Sequence, residues 1–222
     1  MSWLGWRQAV NIREVAMPLY PHQPHHRPEW PPPYPPPAGP GLPGWLEERL
    51  FDQRIVMLRG HLSAETATGI AAALLTLDSA GPEVVHLHVS SPGGDLSAAL
   101  SVVDVIDALA APVHALVTAE AGGAALAVLA AADQRAAYRH ARFKLAEPRA
   151  AGVTGTADEV AAAAGQHLRE LEEVLVRLAE ITGKPRSRIE NDLSAGRSLS
   201  AAEALDYGLI DEVIAPKKNG PR

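Results

Sequence analysis

Short apolar runs alternate with helical stripes along most of this chain, and this alternation limits the fold more than any other feature. Strands are predicted at Arg54–Leu58, Val84–Val89 and Val113–Val117. Apolar residues at helical spacing lie between these runs, and Ser63 is a predicted N-cap of the first such helix. Strands that alternate with helices predict an α/β fold with mainly parallel strands.

Turn-forming glycines and prolines, with the apolar patterns between them, predict the remaining elements. Ser91-Pro92-Gly93-Gly94 is typical of a tight turn between a strand and the helix that follows it. Later elements are predicted as helices at Ala121–Ala132, Arg186–Leu193 and Ala201–Tyr207, and as a closing strand at Leu209–Ile214. They extend the alternation to the end of the chain.

A long amphipathic helix is predicted to open at Asp158 and to stop at Gly183. One face carries leucines at helical spacing, from Leu168 to Leu178. A helix of about 25 residues spans ~37 Å at 1.5 Å per residue. We therefore expect this helix, with the Gly-containing segment from residue 150, to protrude and to pack on another subunit.

The first 44 residues are of a different kind. They hold 12 of the 19 prolines and three of the four tryptophans. Proline fixes φ and removes a backbone donor, so residues 1–44 are predicted to be a disordered, extended tail. Residues 45–215 form the predicted globular domain, and residues 216–222 a flexible C-terminus.

Composition excludes several classes of function. The chain has no cysteine, which excludes a disulfide scaffold and a thiolate nucleophile, and its net charge of −6 argues against nucleic-acid binding. The apolar stretch Val113–Ala132 contains Glu120, which opposes membrane insertion. With Arg7, Arg13 and Glu14 interrupting any apolar signal, we expect a cytoplasmic protein that needs no metal or cofactor.

Several stretches of the chain resemble the ClpP family, the proteolytic subunits of the ATP-dependent Clp protease. They are Ser91–Gly94, residues 45–60, Gly155–Asp158 and residues 200–211, with the sequence SAAEALDYGLID. The resemblance covers roughly residues 45–215. It implies a crotonase-like α/β fold of repeated ββα units, with a protruding handle at about 150–183.

That family consists of serine peptidases, whose chemistry needs a Ser nucleophile, a His base and an orienting Asp. The resemblance places Gly123 at the position of the serine, Ala146 at that of the histidine and Gly196 at that of the aspartate. Asp192 lies four residues before Gly196, too far for a small shift in alignment. None of the three matching side chains can attack a carbonyl or transfer a proton, so the sequence favours a protein without peptidase activity.

Other groups of the chain are capable of taking part in a reaction. The resemblance places the backbone amides of Gly94 and Ala124 in the oxyanion hole, where backbone donors survive the loss of side chains. Glu120 and Glu147 lie beside lost catalytic positions. A crotonase-like reaction on an acyl thioester, with either carboxylate as acid or base, is therefore a second hypothesis.

Two further features concern partners. His86 and His88 lie two residues apart on one predicted strand, so they share a face. The resemblance places them where the family has tyrosines that dock an ATPase, and the change weakens the case for family-type docking. Two tolerated surface imidazoles or half of a metal site remain open as readings.

The main hypothesis is a catalytically inactive structural or regulatory subunit, assembled alone or with active Clp subunits in seven-membered rings. A third hypothesis, beside the acyl-thioester enzyme, is an adaptor in which the domain only displays the Pro-rich tail.

Overall fold

A central sheet of parallel strands organises the chain. A computed structural model describes residues 42–148, 152 and 154–215. The strands are β1 (Ile55–Leu62), β2 (Val85–Gly94), β3 (Val113–Gly122), β4 (Gln134–Tyr138), β5 (Arg142–Lys144), β6 (Ser198–Ser200) and β7 (Glu212–Ile214). They run in the order β1-β2-β3-β4-β7, all parallel, while β5 pairs with β3 and, antiparallel, with β6. The predicted α/β class is confirmed.

Helices connect these strands as crossovers and extend the chain beyond the sheet. They are α1 (Gly44–Asp52), α2 (Ala64–Ala80), α3 (Leu96–Ala108), α4 (Ala125–Ala131), α5 (Ala157–Thr182), α6 (Arg186–Ser194) and α7 (Ala201–Tyr207). The predicted tail and the C-terminal segment 216–222 lie outside the described residues, apart from 42–44, so their disorder stays a prediction.

Local side-chain bonds explain where three of the helices begin. Ser63 caps α2, Thr156 caps α5 and Ser200 caps α7, each by accepting a hydrogen bond from the third amide of its helix. In return, Glu159 and Glu203 accept bonds from the amides of the caps before α5 and α7. These capping boxes satisfy amides that the helix itself leaves without partners.

One face of the sheet carries most of the core. Val85, Leu87 and Val89 of β2 are fully buried there, and α4 packs against β2 and β3. The alternate residues of the same strands point to the opposite face and stay partly exposed. The sheet therefore has one covered face and one open face.

Several predicted boundaries were wrong. Ser91–Gly94 is the last part of β2 rather than a turn, because Gly93 and Gly94 pair with the end of β1. The predicted helix Ala121–Ala132 starts only at Ala125, since β3 continues to Gly122. The closing strand is confined to Glu212–Ile214, and β4, β5 and β6 were not predicted.

The long helix α5 leaves the core along its length. Leu175 and Leu178, near its C-terminal end, are buried against the domain. Leu168 continues the same stripe but is 65% exposed, and Val160 is also exposed. Gly183, with φ +64°, ends the helix in the left-handed conformation that favours glycine. The N-terminal half of α5 therefore presents an apolar stripe that the described chain leaves open.

Candidate functional site

The end of β2 requires two glycines. We refer to this end of β2 and positions 123, 146 and 196 together as the cleft. A Cβ added at Gly94 would lie 2.1 Å from the Leu62 carbonyl oxygen on β1. Gly93 has φ +120°, and its Cβ would lie 2.9 Å from the carbonyl oxygen of Gly122. Both contacts are with backbone, which cannot move aside cheaply. The backbones of β1, β2 and β3 thus approach one another more closely than side chains would permit.

Gly123 occupies the corner between β3 and α4. Its φ of +47° is left-handed, and its N–H donates to the carbonyl oxygen of Lys144 at 3.1 Å. A Cβ built here would have ordinary contacts of 3.8 Å with the Ala146 oxygen, the Gly93 Cα and the Pro92 oxygen. A side chain at position 123 would therefore enter the space between the end of β2 and Ala146.

Ala146 and Gly196 each adjoin one residue of a backbone hydrogen bond between two segments. Lys144 pairs with Ser198 in the antiparallel β5·β6 ladder, and the Leu145 N–H donates to the Arg197 oxygen at 2.8 Å. The paired register itself ends at Lys144 and Ser198. Gly196 has φ +68°, and nothing lies within 4 Å of a Cβ built on it.

Two of the three positions that the sequence predicted to match a catalytic triad, Gly123 and Ala146, thus lie close together, and the match to a triad stays a prediction. The segments of Ala146 and Gly196 are joined by the bond between Leu145 and Arg197. None of the three matched residues carries a functional group, so the described side chains at these positions supply neither a nucleophile nor a proton carrier.

The predicted oxyanion-hole amides lie beside this cleft. The Asp95 N–H donates to the Leu62 oxygen at 2.8 Å. Because successive amides of an extended strand point to opposite sides, the N–H of Gly94 points away from β1 and toward the side of β3. Ala124 follows Gly123 directly and is fully buried. Their role in holding an oxyanion stays a prediction.

Asp192, the acidic residue nearest to Gly196 in sequence, is bonded to other partners. It accepts hydrogen bonds from Tyr207 Oη at 2.7 Å and from Arg188 Nε at 2.9 Å, and Arg197 lies 3.4 Å away. Burial pushes the pKa of Asp192 upward, but the bonds from Tyr207 and Arg188 outweigh it and leave the pKa below its ordinary value. Burial and the same bond raise the pKa of Tyr207. We call these four side chains the Asp192 cluster.

The two carboxylates of the acyl-thioester hypothesis are both exposed. Glu120 lies opposite Arg142 in the β3·β5 pairing, and Glu147 follows Ala146 at the surface. General acid–base work by a carboxylate benefits from an enclosed site that shifts its proton affinity toward neutrality. Neither residue has such an enclosure in the described structure.

The two predicted docking histidines have a third neighbour that sequence reasoning missed. His86 on β2 pairs in register with His114 on β3, and their ring centroids are 6.0 Å apart in an edge-to-face arrangement. His88 lies on the same face, two residues along β2. Both His86 and His114 are the second residue of their strand, which is the signal that parallel pairing would bring them together.

The described residues contain neither a metal-binding cluster of three or more side chains nor a membrane-spanning helix. Among these residues, no group of three or more His, Asp or Glu side chains is arranged to hold a metal ion. No described helix combines the length and apolar character needed to cross a bilayer.

The parallel sheet with its crossover helices, the glycine-built cleft and the long projecting helix together define a ClpP/crotonase-like protein. Comparison with protein-family models agrees: the Clp protease model matches residues 45–217. The match covers well over half of the chain, and the chain belongs to the Clp protease family.

Proposed function

We propose that this chain is a catalytically inactive structural or regulatory subunit of a Clp-type assembly. The observation that carries the proposal is that Gly123, Ala146 and Gly196, the residues at the positions that the resemblance matches to the triad, carry no functional group. A serine peptidase that loses one triad member keeps only the rate enhancement from binding and the oxyanion hole. A chain that lacks all three triad members has no covalent route to peptide hydrolysis.

The fold around the cleft supports a role in assembly. Members of the Clp protease family form oligomeric rings. In this chain Leu168 and Val160 of α5 stay exposed on a stripe whose other end is buried. An exposed apolar stripe of this kind is stabilised when another subunit covers it. The proposal includes heptameric rings, formed by this chain alone or mixed with active subunits. It also includes contact with a Clp ATPase.

Purified full-length protein should neither cleave fluorogenic peptides nor react with a fluorophosphonate probe, while an active Clp proteolytic subunit treated in parallel does both. Native mass spectrometry, on the chain alone and mixed with that active subunit, should show a multi-subunit species. Peptide turnover that stays with the protein through repeated purification would refute inactivity. A monomer under both conditions would refute the role in assembly.

A further inference from the structure

Two imidazoles from different strands lie next to each other on the outward face of the sheet. His86 of β2 pairs in register with His114 of β3, and their ring centroids are 6.0 Å apart with an angle of 79° between the ring planes. His86 is exposed and His114 is half-buried, so solvent reaches both residues. Neither ring has a hydrogen bond to another described residue. The ring nitrogens of the pair are therefore available to a ligand from solution.

The separation of the two rings suits a shared metal ion. A zinc–nitrogen bond of about 2.0–2.1 Å places the metal about 3.2 Å from the centroid of each ring. Two imidazoles that share one ion then have centroids about 5.2 Å apart for a tetrahedral angle, and at most about 6.4 Å apart for a linear one. The observed 6.0 Å lies between these limits. Because the torsion about the Cβ–Cγ bond of histidine is broad, rotation of the rings can direct one nitrogen of each to a common point.

His88 lies on the same face as His86 but is less well placed to share an ion with it. Residues two apart on one strand are separated by about 6.6 Å, whereas neighbouring strands are about 4.8 Å apart. His88 is also half-buried between Met57 and Leu116, its partners in register on β1 and β3. The cross-strand pair, and not the two histidines of β2, is therefore the closer set of ligands.

The residues that flank the pair in register are uncharged. They are Ile55 on β1 and Gln134 on β4. Arg54, just before β1, donates to four backbone carbonyl oxygens, and Arg59 is paired with a carboxylate of α1. Glu120 lies on β3 six residues beyond the histidine of that strand, about 20 Å away at 3.3 Å per residue. The imidazole nitrogens, rather than a fixed charge beside them, therefore decide which ion binds.

We propose that His86 and His114 together bind one divalent transition-metal ion, such as Zn²⁺, Ni²⁺ or Cu²⁺. Imidazole nitrogen suits these ions, whereas Mg²⁺ and Ca²⁺ prefer oxygen ligands. The described residues supply two ligands rather than a set of three or more, so the ion keeps coordination positions for water or for a further ligand. The proposal depends neither on the inactivity of the cleft nor on the assembly of subunits.

The test measures how Zn²⁺ protects each histidine of the full chain from acylation by diethyl pyrocarbonate, which attacks an unoccupied imidazole nitrogen. Mass spectrometry reports every histidine separately, so zinc held by the histidines of residues 1–44 does not affect the result. At a zinc concentration about tenfold above the dissociation constant, His86 and His114 should react roughly tenfold more slowly, because only the unbound fraction reacts. His140, at an exposed turn after β4, should react at an unchanged rate. Mg²⁺ at the same concentration should protect neither ring of the pair.

Single substitutions distinguish the cross-strand pair from the two histidines of β2. A zinc titration of the protection gives a dissociation constant at each ring. His114→Gln should weaken the protection of His86 by at least about tenfold, because the second, chelating ligand is lost. The reciprocal variant, His86→Gln, should weaken the protection of His114 to the same extent. His88→Gln is the matched control on the same face and should leave the protection of both rings unchanged.

Three results would overturn the proposal. They are protection of His86 and His114 no greater than that of His140, protection of His86 that is unchanged in His114→Gln, and equal weakening by His88→Gln and His114→Gln. The last result would place the ion on the two histidines of β2 instead of the cross-strand pair.

Discussion

The cleft and the Asp192 cluster are built in opposite ways. The cleft is formed by backbone: at Gly94 a neighbouring strand fills the space where a side chain would be, and at Gly123 and Gly196 the space is open. The Asp192 cluster is formed by side chains, and both oxygens of its carboxylate have cationic or hydroxyl partners. Side-chain interactions thus hold the Asp192 cluster together, while positions 123, 146 and 196 carry no polar side chain.

The largest loss of stability should come from adding a side chain where the backbones of β1 and β2 approach closely. Gly94→Ala would place a Cβ 2.1 Å from the Leu62 oxygen, so β1 and β2 must separate at this end. We expect a loss of at least about 3 kcal/mol in the free energy of unfolding, measured by urea denaturation. Gly69→Ala is the matched control, because a Cβ there meets nothing within 4 Å and a helix interior favours alanine. Equal stability of the two variants would mean that the close approach is not required.

Removing the carboxylate of the Asp192 cluster should have the next largest effect. Asp192→Ala leaves Tyr207 Oη, buried, and Arg197 without their shared acceptor. We expect a destabilisation of about 2–4 kcal/mol, again by urea denaturation. Asp206→Ala, at an exposed position of α7, should change stability by less than about 0.5 kcal/mol. A small loss of stability in Asp192→Ala would mean that its bonds to Tyr207 and Arg188 contribute little to the free energy of unfolding.

Acid should weaken the same cluster. The pKa of Asp192 in the folded chain is below its ordinary value of about 4, so its contribution is fully present above that pH and is lost as the pH falls through the folded-state pKa. Asp192→Asn should therefore flatten the fall in stability below about pH 4. Urea midpoints over a pH series measure this slope. A slope identical to that of the unsubstituted chain would contradict the assigned shift.

The smallest loss of stability should come from adding a side chain at Gly123. A Cβ at Gly123 has contacts of 3.8 Å, so Gly123→Ser is opposed only by its left-handed φ of +47°. We expect a cost of about 1 kcal/mol and an unchanged fold by circular dichroism. Loss of the folded state would show that this corner excludes side chains for reasons of space, as Gly94 does.

Much of the fold could be predicted because the signals are local. The cap at Ser63, the stop at Gly183 and the stripe of α5 depend on residues close in sequence, and the structure confirms them. The strand at Ser91–Gly94 could not be predicted, because Pro and Gly signal a turn locally. Pairing with β1 and β3, each some thirty residues away, makes this segment a strand.

Within the candidate site, too, contacts between distant segments could not be predicted from the sequence. The three triad-matched positions were predicted through resemblance, and the structure shows two of them, Gly123 and Ala146, close together. The partners of Asp192 and the pairing of His86 with His114 depend on contacts between distant segments, which spacing along the chain does not reveal. Short strands such as β5 and β6 were missed because three residues hold too little periodicity to recognise.

The contact between Gly94 and Leu62 also bears on how such chains are classified. A motif that the packing of two strands requires will persist in a chain whether or not any reaction takes place beside it. A match to this glycine pair therefore reports the packing of two strands and not an activity. Assigning an activity to a new sequence of this kind requires reading positions that the architecture leaves free, such as 123, 146 and 196.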